Sequence, residues 1–194
     1  MKENLPKQSN KKLKSLPFIT EKYTHDIVTL RQAREWLRMD IPGYDGEDSV
    51  ILMAIESAVS WVETYCNLSL GISDYEWNTD CLPNSFNDVF YIQSITSIDY
   101  RGESGYLGVN SNNYELIQVS KRRSEIEWFN TQISSNRYKI KFKAGFPDGQ
   151  VPAVLLDAIR ARIAERFENR GDGVSEKKTL SEKLADQFKI PYAG

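Results

Sequence analysis

Apolar and polar positions change rhythm several times along this chain, and each change marks an element. From Thr29 to Met39, Leu30, Ala33 and Leu37 fall on one side with Trp36 at its margin, while Arg31, Arg34 and Arg38 fall opposite. That spacing predicts a short helix over 29–39. Thr29 and Gln32 match a capping box, in which hydroxyl and amide each satisfy a backbone N–H at the helix start. Asp40-Ile-Pro-Gly-Tyr-Asp-Gly stops it. A second helix is predicted over 49–66, capped by Asp48 or Ser49. Its apolar positions cover more than half the circumference, where a surface helix needs a stripe of roughly 100°. Such a helix is covered from two sides. Either it is the central helix of the domain, or one flank meets another subunit.

The rhythm then shortens to two. Strands are expected near 74–79, 89–92, 94–101, 114–119 and 125–129, with a turn at Gly102-Glu-Ser-Gly105. The cleanest strand is Tyr138–Lys143: Tyr138, Ile140 and Phe142 point one way, Lys139, Lys141 and Lys143 the other. A lysine row of this kind protects a sheet surface or edge from pairing with another chain, with nucleic-acid contact as the alternative. Ala144-Gly-Phe-Pro-Asp-Gly then turns the chain into a third helix over 152–169, with Pro152 in its first turn. Leu155, Ile159 and Ile163 on that helix are expected to pack against Tyr138, Ile140 and Phe142. Beyond Gly171-Asp-Gly173, Leu180, Leu184 and Phe188 recur at i, i+4 and i+8. That amphipathic piece is too short to hold itself together, so it docks on its own body or on a partner.

The fold class is therefore α+β. A small helical bundle, two N-terminal helices plus a long C-terminal one, carries an inserted antiparallel β-meander at 74–143. The domain spans 25–170, with flexible tails at 1–24 and 171–194.

Charge changes this picture at one end. Residues 1–24 carry six lysines against Glu3 and Glu21, net +4, which leaves −6 on the rest of a chain of net charge −2. A basic arm on an acidic body is either a solvated end or a contact for something anionic. Lys11, Lys12 and Lys14, with Arg31, Arg34 and Arg38, are the candidate residues for DNA or an acidic partner. No apolar run approaches the ~20 residues of a membrane span, and the N-terminus lacks a signal-peptide core, so an intracellular product without membrane contact is expected. Cys66 and Cys81 are read as two thiols outside any disulfide framework, Cys66 as a small buried hydrophobe. One histidine, His25, is too few for the usual zinc sites or for a histidine-based triad. Nucleotide, metalloprotease and hydrolase motifs are missing from the sequence. No catalytic, cofactor or metal residue is singled out, although 27 acidic residues leave an unfamiliar carboxylate site open.

Several segments taken together are distinctive. Thr29-Leu-Arg-Gln-Ala-Arg-Glu-Trp-Leu-Arg-Met-Asp, Glu47-Asp-Ser-Val-Ile-Leu and Ala58-Val-Ser-Trp-Val-Glu-Thr-Tyr-Cys-Asn are followed by Tyr91-Ile-Gln-Ser-Ile-Thr-Ser-Ile-Asp-Tyr-Arg. Then come Lys141-Phe-Lys-Ala-Gly-Phe-Pro, Val151-Pro152, Arg166-Phe-Glu-Asn-Arg170 and Ile190-Pro191-Tyr192. In order and spacing these resemble the tailed-phage head–tail connector family, also called adaptor or head-completion proteins, from about Thr29 to Tyr192. Phe90 departs from the family's usual proline there, and the lysine-rich arm is longer than the family's.

The resemblance implies a non-enzymatic virion protein of the neck, assembled in the host cytoplasm. It implies a ring, usually of twelve subunits, below the portal of a filled capsid. The ring would bridge the portal protein to the stopper or tail and surround the DNA exit channel. On this reading Leu180, Leu184, Phe188, Ile190, Pro191 and Tyr192 dock on the portal. Leu52, Glu56, Val59, Glu63, Arg162 and Arg166 form the subunit interface. The alternative is a DNA-binding accessory protein that uses the basic arm and the arginine and lysine faces.

Overall fold

A computed structural model describes residues 16–39, 46–86, 91–120, 123–129, 133, 135–168 and 178–189. Four helices form one layer: α1 Leu30–Leu37, α2 Asp48–Cys66, α3 Ala153–Glu168 and α4 Leu180–Ala185. The α1 capping box forms as its sequence predicts, Gln32 N–H donating to Thr29 Oγ1 and Thr29 N–H donating to Gln32 Oε1. The start of α2 differs from expectation. Glu47 holds the N-cap position without a side-chain cap, and neither Asp48 nor Ser49 caps the helix. The Asp48 carboxylate is taken by Arg34 instead, and it still favours the positive end of the helix dipole. At its other end Asn67 adopts the left-handed conformation (φ 55°), and Leu68 N–H donates to Glu63 O, closing the helix.

The strands between α2 and α3 are not one meander. Five strands make an antiparallel sheet in the order β1 (Phe18–Glu21), β2 (Ser73–Thr79), β8 (Tyr138–Ala144), β4 (Ile92–Gly102), β5 (Gly105–Gly108). Three more, β3 (Ser85–Phe86), β7 (Arg123–Trp128) and β6 (Tyr114–Ser120), make a second sheet. Apolar side chains of both sheets share a core containing Tyr75, Phe86, Ile98, Ile126, Ile140 and Phe142. Ile140 and Phe142 therefore do not pack in the helical core with Leu155, Ile159 and Ile163, which lie in a separate cluster with Ile51, Ala58 and Val62. The period-two pleat of β8 turns these residues toward the small sheet, which brings enough apolar surface to make a core of its own.

Two further expectations change. β8 lies inside its sheet, paired on both sides, so Lys139, Lys141 and Lys143 do not guard an edge. Lys139 and Lys143 pair across the outer face with Glu76 (3.7 Å) and Asp74 (3.3 Å). Strand β1 lies within the stretch expected to be a loose arm: Phe18 and Ile19 pair with Glu76 and Tyr75.

The two cores meet where β8 enters α3. Gly145 has φ +121°, and a Cβ there would stand 2.0 Å from the Gly71 carbonyl oxygen, so only glycine fits. Phe146, next in sequence, is 1% exposed and packs in the helical core. The Ala-Gly-Phe segment thus passes the chain from one core to the other.

Candidate assembly surfaces

Of the six residues expected at a subunit interface, three stay outside. Leu52 is 45% exposed on α2, and Glu56 and Arg166 are exposed. Met53, next to Leu52 on α2, is 61% exposed. The other three are used inside the chain. Val59 packs on the helical core. Glu63 is a hub: Lys22 Nζ reaches its Oε2 (2.7 Å), and Tyr23 Oη and Leu70 N–H donate to its Oε1 (2.8 and 3.0 Å). Burial, and then the Glu63 charge, push the Tyr23 phenol far above its ordinary range. The hub ties the N-terminal strand to α2. Arg162 stacks on Trp61, 4.6 Å from the ring centroid, and pairs with Glu165 at 3.1 Å. Its Nε is buried with no hydrogen-bond partner among the described residues.

Of the three α1 arginines, one is engaged within the chain and two, Arg31 and Arg38, stay exposed. Arg34 is half-buried, with Nε and Nη2 both on Asp48 Oδ1 (Nε 2.8 Å). Arg31 lies 3.9 Å from Glu35 on the surface, a pair of small worth in water. Arg38 is the exposed, left-handed C-cap of the helix. Lys11, Lys12 and Lys14 lie outside the described residues.

The C-terminal segment docks on its own body through α4. Leu184 and Phe188 pack on the helical core, and Leu180 is 61% exposed. A capping box of Thr179 and Glu182 starts the helix. Tyr65 Oη donates to Asp186 Oδ1 (2.5 Å), and Lys178 Nζ donates to Asp186 Oδ2 (2.6 Å). The hydrogen bond to Asp186 holds the Tyr65 phenol up at about 12. Lys178 first, then Tyr65, holds Asp186 below the usual carboxylate range. Cys66 Sγ donates to Ala185 O at 3.4 Å, and burial pushes that thiol up to about 11. Lys189 Nζ lies 4.6 Å from the Tyr65 ring, which stacks on Trp61. Lys189, Tyr65, Trp61 and Arg162 thus form a continuous cation–aromatic column over α2. Ile190, Pro191 and Tyr192 lie outside the described residues.

Among the described residues two open hollows stand out. One, of about 420 Å³, lies between β1 and the C-terminal end of α2, lined by Leu16, Ile19, Lys22, Glu63, Leu68 and Tyr75. The other, of about 390 Å³, lies among α1, α3 and α4, lined by Trp36, Leu37, Asp157, Arg160, Ala161, Ala164, Leu180 and Leu184. The small sheet and β5 add exposed Tyr106, Leu107, Ile117 and Val119. Among the described residues, no group of three or more His, Cys, Asp or Glu side chains is placed to hold a metal. The groove and Met53 were missed in the sequence. The available signal was Ala161 and Ala164, two small residues on the outer side of α3.

No protein-family model and no curated protein matches the sequence. Solved structures do. A chain in the neck of an empty GTA particle, computed with C6 symmetry, matches at TM-score 0.70 and 17% identity, over 92% of this chain and 97% of that one. The chain has the fold of a GTA neck protein. Two further neighbours agree. One comes from the virion of a native gene transfer agent particle (TM-score 0.73, 16% identity, 92% and 97% covered). The other comes from the neck of a native GTA particle computed with C12 symmetry (0.63, 17%, 91% and 97%).

Proposed function

We propose that this chain is a structural, non-enzymatic subunit of a virion neck, a head–tail connector that assembles as a ring below the portal. The observation that carries the reading is a fold shared over 92% and 91% of this chain with chains of particle necks, the second computed with C12 symmetry. Twelve copies, the portal protein above, the stopper or tail below and DNA through the middle follow from that reading. Exposed Leu52 and Met53, adjacent on α2, and Ile117 and Val119, on one face of a strand in the small sheet, fit contacts with other subunits. Engagement of Arg34 by Asp48, and of Lys139 and Lys143 by acidic neighbours, disfavours a dedicated DNA-binding surface.

Leu184 and Phe188 serve the chain's own core, so the portal anchor narrows to exposed Leu180 and the terminal Ile190, Pro191 and Tyr192. The test is co-sedimentation with portal-bearing capsids that lack this chain. The full chain binds. A chain ending at Lys189 loses attachment while its thermal unfolding is unchanged. Normal binding by the shortened chain removes the anchor assignment, and no binding by the full chain removes the neck reading.

A further inference from the structure

A ring needs two different patches on each subunit, facing away from each other, so that one subunit's first patch meets its neighbour's second. This fold carries such a pair. α2 buries Ile51, Ala54, Ile55, Ala58 and Val62, and α3 buries Leu155, Ala158, Ile159 and Ile163. The helices pack together through these stripes, in one cluster. Their outer stripes therefore point to opposite sides of the bundle.

The outer stripe of α2 is a ridge. Leu52 and Met53 project, 45% and 61% exposed, with Glu56 one turn further on. The outer stripe of α3 is the floor of the groove. Ala161 and Ala164 keep it shallow, while Trp36 and Leu37 from α1 and Leu180 from α4 form its walls. Small side chains on a helix let another helix approach closely, and Met is the side chain that adapts best to an irregular hollow. The charges offer one opposite pair, beside Asp157 on the same groove. Arg160 stands at the groove, and among the described residues neither Glu56 nor Arg160 has an ion-pair partner.

We infer that the groove's occupant is a second copy of this chain: Leu52 and Met53 of one subunit fill the groove of the next, and Glu56 meets Arg160 across the joint. This rests on the neck reading and names its subunit contact. The contact is head-to-tail and repeats until the ring closes. It also reassigns Leu180 from a portal contact to a wall of the groove.

Charge reversal tests the pairing. Glu56→Arg, Arg160→Glu and the double variant are prepared with the full chain and loaded onto portal-bearing capsids that lack it. All carry exposed substitutions, and their thermal unfolding is compared with the parent's first. Each single variant is expected to lower neck occupancy about tenfold, and the double variant to recover most of it, as coupled partners do. Met53→Ser lowers occupancy without recovery by either reversal. Undiminished occupancy in both single variants, or failure of the double to recover, overturns the pairing while leaving the neck reading standing. Failure of the unmodified chain to load overturns both.

Discussion

At the scale of single residues, carboxylates do most of the organising. Glu63 sits on a helix face where spacing alone suggests a neighbour's residue, yet its side chain is 12% exposed and takes three partners. Glu63→Ala leaves Tyr23 Oη and Leu70 N–H without their acceptor. The expected cost is about 2–3 kcal/mol, from the loss of hydrogen bonds to a charged group, and chemical denaturation measures it. Gly145→Ala is expected to cost more than the usual surface substitution, because the new Cβ would meet the Gly71 carbonyl at 2.0 Å. An unchanged midpoint of unfolding in that variant would mean the crossing between the two cores is looser than described. Neither constraint is visible as a pattern. A hub glutamate reads like any polar helix position, and the need for Gly145 comes from a loop some seventy residues earlier in the chain.

At the scale of elements, legibility follows how much each element buries. Helices α1, α2 and α3 and strand β8 each present a periodic apolar face to a core, so the sequence marks them to within a residue or two. Strand β1 buries no side chain fully and is held by backbone pairing to β2, so no periodicity announces it. The two-residue β3 is equally silent, although its Phe86 is a core residue. Helix α4 is readable as an amphipathic piece, but its berth is not, because Tyr65 lies 121 residues before the Asp186 it bonds.

That berth is sensitive to pH at both ends. Asp186 has a lowered folded pKa, so its contribution is present above the ordinary carboxylate value of 3.8 and is lost as pH falls through the folded value. Tyr65 has a raised one, so its contribution is present below 10 and is lost as pH rises through about 12. Hydrogen exchange of the α4 amides, corrected for intrinsic rates, should show steady protection between these limits and loosening on the acid side. Asp186→Asn should loosen α4 at neutral pH and abolish the acid dependence. Persistence of that dependence in the variant would assign it to another group.

At the scale of the whole molecule, two cores joined at one seam leave several distinct exposed surfaces. The helical layer exposes Leu52 and Met53 on α2 and holds a groove among α1, α3 and α4, and the small sheet exposes Ile117 and Val119. Order and spacing of short motifs carried the family resemblance, and the shared fold over nine-tenths of the chain agrees with it. The division of the insert into two sheets was not legible. Alternation says which side chains share a face, but not which other face covers them. On the proposed function, this chain is a ring subunit of a virion neck. Electron cryomicroscopy of portal-bearing particles prepared with and without the chain tests it most directly. The predicted result is a ring of copies of this fold between the portal and the tail, present only when the chain is supplied. A complete neck in its absence, or density for this fold elsewhere in the particle and none at the neck, would contradict it.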